Sequence, residues 1–158
     1  MQKFIILDID NTIADTKPSK IKRDIYDYTK VYDDDLRIDV VEHIRDIYKD
    51  CVFIYISGRK DNSREVTKKW LLDKFEKYVG YNSDSIPIDK RLFLRDDKDN
   101  RPNFQTKLHL YYSFIKSYSI DKNLVLMVFE DDFDSANAYM DLGLKIYQPI
   151  VEVKNEYI

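Results

Sequence analysis

The sequence predicts a doubly wound α/β domain, a three-layer sandwich whose central sheet is mainly parallel. Short apolar runs with strand character alternate along the chain with segments of helical periodicity. The runs are apolar at nearly every position, as in strands that are covered by helices on both faces. The chain has 158 residues and shows no internal repeat and no Pro/Gly/Ser-rich linker, so we expect residues 1–158 to form a single domain.

Five strands are predicted, of which the last is the weakest. They are Lys3–Leu7, Val52–Ile56, Leu92–Leu94, Leu124–Phe129 and Lys145–Tyr147. In a sheet of this kind the ligand binds at the carboxyl ends of the strands, so polar residues at those ends are candidates for chemistry. The ends of the first four strands hold Asp8, Ser57, Arg95 and Asp131.

Four helices alternate with these strands. The first is expected to begin at Asp34 or Asp35, and the fourth to follow Asp132 and end near Gly143, because glycine readily adopts the left-handed conformation. Each of the first three helices has an expected apolar face. The first helix has Leu36, Val40, Ile44 and Ile47, and the second has Val66, Trp70, Leu71, Phe75 and Tyr78. The third has Phe104, Leu108, Tyr111, Tyr112 and Ile115. We expect the remaining segments, Ala14–Asp33 and Asn82–Ile88, to be loops.

The composition is typical of a globular protein, with 44% hydrophobic and 35% charged residues. The first apolar stretch is followed at once by Asp8, so it resembles neither a signal-peptide core nor a membrane span. The one cysteine, Cys51, cannot form an intramolecular disulfide. These features favour a cytoplasmic location and argue against a membrane partner.

Asp8 and Asp10 lie one residue apart where the first strand ends. Both can point to the same small site, where one carboxylate can attack while the other transfers protons. Thr12 and Ser57 add hydroxyl donors for phosphate oxygens. An alternative is that the two carboxylates cap the following turn together with Asn11.

A second acidic cluster, Glu130, Asp131 and Asp132, follows the fourth strand. Carboxylates of this kind supply the hard oxygen ligands that Mg²⁺ prefers. Arg59 and Lys107 are the cations that would offset the negative charge when a phosphate binds. Taken alone, Asp131 and Asp132 would also suit a helix start, and Lys107 a solvated helix face.

In their order along the chain these residues resemble the four motifs of the haloacid dehalogenase (HAD) superfamily. The matching segments are Phe4–Thr12, Ile54–Arg59, Lys107 and Val128–Asp132. The resemblance implies a HAD-type phosphatase fold, and the short intervals between the motifs leave room for a minimal cap or none. It implies that Asp8 is the nucleophile that forms an aspartyl-phosphate, and that Asp10 protonates the leaving oxygen and then activates water.

The same resemblance implies the remaining roles in the site. Asp8, the backbone carbonyl of Asp10 and Asp131 would hold Mg²⁺, with Asp132 in support. Ser57 and Lys107 would bind the transferring phosphoryl group.

Two further segments are similar to the phosphatase domain of phage-type polynucleotide kinase-phosphatases. They are Ser57–Leu71 and Arg95–Lys107, the second with Arg95, Asp99, Arg101 and Lys107 at matching positions. The likeness implies removal of a 3′-phosphate from a DNA or RNA end in nucleic-acid repair. Gly58, Arg59, Arg95 and Arg101 would contact the phosphate or the neighbouring nucleotide. No GxxxxGK[ST] loop is present, so no kinase activity is expected.

Two alternatives stay open at this point. A 5′-nucleotidase or small-molecule phosphatase of the same superfamily would share every catalytic residue, and a small nucleotide would suit the loop of Tyr26, Tyr28 and Tyr32. A non-enzymatic module would bind metal or phosphate within a repair assembly, but such a module needs neither the nucleophile nor the acid that Asp8 and Asp10 offer. The sequence carries no signal of oligomeric state.

Overall fold

The computed structural model describes residues 1–16, 28–82 and 86–150. In this part of the chain the strands are β1 (Phe4–Leu7), β2 (Ala14–Asp15), β3 (Asp35–Leu36), β4 (Val52–Lys60), β5 (Leu92–Arg95), β6 (Val125–Phe129) and β7 (Ile146–Tyr147). Five of them form one sheet in the order β5-β4-β1-β6-β7, with every pairing parallel. The expected parallel α/β sheet is confirmed, and its five strands are the five that the sequence predicts.

The helices are α1 (Ile38–Tyr48), α2 (Arg64–Trp70), α3 (Lys77–Val79), α4 (Ile88–Arg91), α5 (Asn103–Tyr118) and α6 (Phe133–Asp141). A π-helical segment, Leu71–Glu76, joins α2 and α3 into one continuous helical stretch that ends at Gly80, whose φ is 72°. Gly143 has a φ of 84° shortly after α6, as expected. Within the described residues no helix is long and apolar enough to cross a bilayer.

The sheet separates two apolar cores. Alternate residues of β1 point to opposite faces, so Ile5 and Leu7 belong to one core while Phe4 and Ile6 belong to the other. The first core packs against α1 and the α2–α3 stretch, and includes the fully buried Trp70 that the sequence predicts. The second core packs against α5 and α6. The resulting three layers confirm the doubly wound architecture.

Two expectations for the first half of the chain are wrong. The segment Asp35–Leu36 does not open the first helix, because it pairs antiparallel with Ala14–Asp15 as a two-stranded ribbon. The helix begins at Ile38 instead, without a side-chain cap. Ala14–Asp33 is therefore not a loop throughout, although residues 17–27, which include Tyr26, lie outside the described residues.

The expected apolar faces of the first three helices also need correction. Three of their members are exposed, Ile47 at 60%, Tyr78 at 39% and Tyr112 at 55%. The buried residues of α5 are Thr106, Lys107, Leu110, Tyr111 and Phe114. Leu110, Tyr111 and Phe114 lie three, four and seven residues after Lys107, on one face of the helix. Because a lysine occupies the first position of that stripe, the sequence pattern predicts a different face.

β4, which corresponds to the second of the five predicted strands, is longer than predicted. β4 runs to Lys60, and its pairing with β5 changes register between Ser57 and Lys60. Ser57 therefore lies within the strand and not after it. The irregular stretch brings Gly58 and Arg59 to the carboxyl end of the sheet, next to β1.

A buried ion pair connects α4 to the π-helical segment inside the first core. The Arg91 guanidinium donates to both carboxylate oxygens of Glu76, at 3.0 Å each. The hydroxyl of Tyr55 on β4 donates to the same carboxylate at 2.6 Å. Arg91 and Glu76 are both buried, so each charge depends on the other for compensation.

We expect Glu76→Gln to lower the free energy of unfolding by about 3–5 kcal/mol, because the substitution leaves the Arg91 charge buried without its partner. Urea unfolding monitored by circular dichroism measures the change. Glu65→Gln is the matched control, since Glu65 pairs with Lys68 on the surface of α2 and should cost less than about 1 kcal/mol. Equal losses in the two variants would contradict the role assigned to the buried pair.

Candidate active site

The carboxyl ends of β1, β4 and β6 converge on Asp8, the first residue after β1. The backbone N–H of Asp8 donates to the carbonyl of Phe129 at 2.9 Å, which continues the β1–β6 pairing by one residue. The carboxylate is buried, and its Oδ1 accepts a hydrogen bond from Lys107 Nζ at 3.2 Å. The candidate nucleophile is therefore held in place by the sheet and paired with a cation from α5.

A tight turn after β1 brings Thr12 back to Asp8. Asn11 has a φ of 61°, the left-handed conformation that asparagine tolerates better than most residues. The Thr12 hydroxyl lies 3.0 Å from Asp8 Oδ2 and 3.0 Å from Asp131 Oδ1, and its oxygen accepts the Asp131 N–H at 3.2 Å. Thr12 thus links the two carboxylates, and its single hydrogen goes to one of them at a time.

Glu130, which the sequence groups with Asp131 and Asp132 as an oxygen ligand for Mg²⁺, is the partner of Lys107 in the structure. Lys107 Nζ donates to Glu130 Oε2 at 2.7 Å, a shorter contact than its bond to Asp8. Glu130 Oε1 accepts the backbone N–H of Asp132 at 3.0 Å. The position of Glu130 directly after β6 is the sequence signal that could have singled it out from the acidic run.

Asp8, Glu130 and Asp131 form a compact acidic cluster whose ligand oxygens all lie within 4.8 Å of one another. Burial, together with the nearby charge of Asp8, raises the pKa of Asp131 to about 7. The same causes raise the pKa of Glu130. Burial alone would lower the pKa of Lys107, but the carboxylates of Asp8 and Glu130 outweigh it and raise that pKa. The ammonium is therefore charged throughout the physiological range.

The donors of this cluster fit a divalent cation. When all three carboxylates are ionised, they outnumber the one ammonium among them by two charges, and a divalent cation would offset that excess. Glu130 makes the shorter of the two Lys107 bonds, 2.7 Å against 3.2 Å for Asp8, which favours the oxygens of Asp8 and Asp131 as the ligands for a metal. Oxygen donors of this kind suit Mg²⁺, which usually takes one or two carboxylates and keeps several waters.

Asp132 does not point its carboxylate at this cluster. Its Oδ2 accepts the Ser135 N–H at 3.0 Å and the Ser135 hydroxyl at 2.6 Å, so it caps the first turn of α6. The expectation that Asp132 supports the metal is thus corrected for its side chain, and the helix-start reading holds for this residue. Its partner Asp131 lies in the cluster.

Asp10 forms a two-pronged ion pair with Arg59. The guanidinium Nε and Nη2 donate to the two Asp10 oxygens at 2.9 and 2.6 Å. Nη1 donates to the Thr67 hydroxyl at 3.1 Å, and Asp34 lies 3.8 Å away. Burial would lower the pKa of Arg59, but these carboxylates raise it. Arg59 is buried and bound to protein groups in the structure, and its contact with the phosphate or the neighbouring nucleotide stays a prediction.

Ser57 and Gly58 form the wall of the site on the β4 side. Ser57 Oγ is buried and accepts the Arg59 N–H at 3.1 Å. A Cβ atom on Gly58 would lie 2.7 Å from Asn103 Oδ1, so a larger residue here would displace the Asn103 side chain. The Gly58 carbonyl accepts Arg95 Nε at 2.9 Å.

Arg95 braces the loop between β5 and α5. In addition to Gly58, its guanidinium donates to the backbone carbonyls of Asp99 and Arg101 at 3.1 and 2.7 Å and to Asn103 Oδ1 at 2.6 Å. The side chain is buried, so the structure uses Arg95 to hold the loop together. The Arg101 side chain is 47% exposed and pairs with both Asp99 oxygens. Hydrogen bonds from Arg101 hold the pKa of Asp99 well below its usual range.

An open groove of about 580 Å³ runs beside this loop. Its polar lining combines charges of both signs, with Lys98 and Arg101 on the positive side and Asp61, Asp96 and Asp99 on the negative side. Arg101 is thus the one predicted substrate-binding arginine that the structure presents to a solvent-accessible groove within the described residues.

Comparison with known proteins gives a family match over almost the whole chain. A family model described as the polynucleotide kinase PNKP phosphatase domain matches residues 2–152. A search of curated protein sequences found no match.

Solved structures similar to this one share its fold at low sequence identity. A chain from the structure of the Pnkp1/Rnl/Hen1 RNA repair complex aligns with a TM-score of 0.72 and 21% identity, over 94% of this chain and 42% of that chain. Tungstate-bound class C acid phosphatase from Bacillus anthracis aligns with a TM-score of 0.56 and 20% identity, over 94% of this chain and 66% of that chain. The present chain spans less than half of the repair-complex chain, and at these identities the likeness is evidence of a shared fold.

We expect Asp131→Asn to stabilise the metal-free protein at about pH 8 and to have a smaller effect at about pH 5. A carboxyl whose pKa is higher in the folded than in the unfolded chain contributes stability below its unfolded pKa of about 3.9. That contribution is lost as the pH rises through the folded pKa of about 7. Because asparagine stays neutral at every pH, the variant does not lose this stability as the pH rises. Thermal unfolding in EDTA measures the effect, with Asp141→Asn on the exposed end of α6 as control; a gain independent of pH would contradict the prediction.

Proposed function

The chain belongs to the family of polynucleotide kinase PNKP phosphatase domains, a HAD-type phosphatase family, and from that membership we propose that it removes 3′-phosphates from polynucleotide ends. Phosphatase activity follows from the family. The proposal adds the aspartyl-phosphate intermediate, the dependence on Mg²⁺ and the 3′-polynucleotide substrate. It also gives the protein a role in nucleic-acid repair, which is supported by its likeness to a chain of an RNA repair complex.

The observation that carries the proposal is the surroundings of the Asp8 carboxylate. One oxygen faces Lys107 and the other faces Thr12, while Asp131 lies within metal-sharing distance. In the first step an oxygen of Asp8 attacks the phosphorus atom and forms the aspartyl-phosphate, and the bond from phosphorus to the sugar oxygen breaks. The Lys107 ammonium stabilises the negative charge on the transferring phosphoryl group.

The proton balance of both steps is assigned to Asp10. In the first step one Asp10 oxygen carries a proton in place of its bond to Arg59, and it gives that proton to the leaving sugar oxygen. In the second step a water oxygen attacks the phosphorus of the aspartyl-phosphate, Asp10 takes a proton from that water, and inorganic phosphate leaves while Asp8 is restored.

Mg²⁺, when bound by Asp8 and Asp131, would supply the positive charge that lets a phosphate approach this acidic cluster. The close grouping of the Asp8, Glu130 and Asp131 oxygens supports this assignment. Thr12 keeps the two carboxylates at a fixed separation, so the pair is already arranged in the protein alone.

We assign Arg59 and Arg95 positioning roles and keep Arg101 as a substrate-binding residue. Arg59 orients the Asp10 carboxylate through both of its oxygens. Arg95 holds the loop that places Arg101 beside the groove. The openness of this groove to solvent suits the end of a polymer, whose neighbouring nucleotides can lie against Lys98 and Arg101.

A panel of phosphate esters assayed side by side tests the substrate. We expect a 3′-phosphorylated oligonucleotide to be hydrolysed with a higher kcat/KM than a 5′-phosphorylated oligonucleotide or a mononucleotide, and only with Mg²⁺. Asp8→Asn should lower kcat by on the order of 10⁴-fold or more, because the nucleophile is lost. Asp46→Asn on the exposed face of α1 is the control and should retain full activity.

The outcomes of the panel separate the alternatives. Equal turnover of a nucleoside monophosphate would indicate a small-molecule phosphatase and contradict the polymer assignment. No hydrolysis of any ester, including a chromogenic one, would favour the non-enzymatic binding module.

Variants of Arg59 separate positioning from substrate binding. Arg59→Lys keeps the charge but loses the planar fork that holds both Asp10 oxygens, so we expect kcat to fall by about 10- to 100-fold with KM nearly unchanged. Steady-state kinetics on the 3′-phosphorylated oligonucleotide measure both constants. Arg45→Lys, on the surface of α1, serves as control. A rise in KM at constant kcat would show that Arg59 binds the substrate phosphate instead.

A further inference from the structure

Phe133 is the one exposed phenylalanine among the eight of the chain, all of which the structure describes. It is 68% exposed, whereas the other seven are buried or partly buried. It belongs to neither of the two apolar cores, and within the described residues its ring contacts no other aromatic ring. Burial therefore does not account for a phenylalanine at this position.

The ring lies at the border of the acidic cluster. Phe133 is the first residue of α6, and Asp132 caps that helix by accepting the Ser135 N–H. Asp131, two residues before Phe133, belongs to the cluster with Asp8, so the Cα atoms of Asp131 and Phe133 are at most about 7 Å apart. The Cα–Cβ bonds of an α-helix tilt toward its N-terminus, which in α6 is the end next to the cluster. The ring thus lies beside the reacting groups, on their solvent side.

The charges around Phe133 determine which part of a nucleotide can approach it. Asp132 precedes it in the chain and the exposed Asp134 follows it. These carboxylates repel the phosphodiester backbone of a polynucleotide, which finds cations instead at Lys98 and Arg101 in the groove beside β5. A nucleobase is neutral and aromatic, and bases of every kind stack on aromatic side chains. The base is therefore the part of the substrate that suits this ring.

We propose that Phe133 is a specificity-determining residue that stacks on the base of the terminal nucleotide while the 3′-phosphate of that nucleotide lies at Asp8. Base and phosphate are joined through a single sugar ring, so groups as close together as Asp131 and Phe133 can hold both at once. The contact adds binding energy for a terminal nucleotide that carries a base and none for an abasic one. This inference rests on the proposed function, since it concerns the same site and the same substrate.

Phe133→Ala is the first test, with two 3′-phosphorylated oligonucleotides that differ only in whether the terminal nucleotide carries its base. On the oligonucleotide with the base, kcat/KM should fall by about tenfold, mainly through KM, which is the effect of losing one stacking contact. On the abasic oligonucleotide kcat/KM should stay unchanged. Phe133→Trp keeps an aromatic ring and should retain the preference for the base. The melting temperature of both variants should match that of the wild-type protein, because the ring is exposed.

Met140→Ala is the matched control. Met140 is 47% exposed on the same helix, seven residues and therefore about 10 Å further from the cluster. The substitution removes an exposed apolar side chain from α6 without touching the proposed stacking site, so it should change neither kcat nor KM on either oligonucleotide.

A binding measurement provides a readout that does not depend on turnover. In the Asp8→Asn background, fluorescence anisotropy gives the affinity for each labelled oligonucleotide. Adding Phe133→Ala should weaken binding of the oligonucleotide with the base by about tenfold and leave binding of the abasic one unchanged.

Equal losses on the two oligonucleotides, or no loss on either, would overturn the inference. A wild-type protein that hydrolyses no 3′-phosphorylated oligonucleotide would instead reject the proposed function. The two failures are therefore distinguishable.

Discussion

The buried contact between the Lys107 ammonium and the carboxylates of Asp8 and Glu130 is the interaction on which the rest of the site depends. It joins residues 99 and 23 positions apart in the chain, so it forms only when β1, α5 and β6 have all reached their places. A lysine without these partners would be costly at the same depth, and so would the carboxylates. The charges that serve the chemistry are thereby also a constraint on how α5 packs against the sheet.

The remaining polar groups divide into those that shape the carboxylates and those that shape the loops. Thr12 and Arg59 orient carboxylates. Thr12 links those of Asp8 and Asp131, and Arg59 donates to both oxygens of Asp10. Arg95 makes no contact with a carboxylate of the cluster, but its bonds to backbone carbonyls define the wall of the groove. Binding a phosphate in such a place requires positive charge to be added, which a divalent cation would do.

The sequence predicted the order of the sheet strands and the meeting of Asp8 with Asp131, because apolar runs and strand-end residues are local signals. It predicted less well what depends on partners far along the chain. Lys107 interrupts the apolar stripe of α5, and its contacts with Asp8 and Glu130 explain why a lysine belongs in the core. Asp131 and Asp132 are adjacent and chemically alike, yet one faces Asp8 and the other caps a helix. Similarly, the arginines at positions 59 and 95 have acceptors on several separate segments, which no spacing rule could reveal.

The position of β1 in the middle of the sheet has a consequence for motion. β1 has a hydrogen-bonded neighbour on each side, whereas β5 and the two-residue β7 form the edges. Partial openings of a native protein begin where backbone hydrogen bonds are fewest, so the strand that ends in Asp8 is expected to be among the last to exchange its amide hydrogens. The groove beside β5 lies at an edge, where fluctuations are easier. The reacting carboxylate thus follows a central strand while the groove lies beside an edge strand, so under the proposed function the groove could adjust to different nucleic-acid ends without disturbing Asp8.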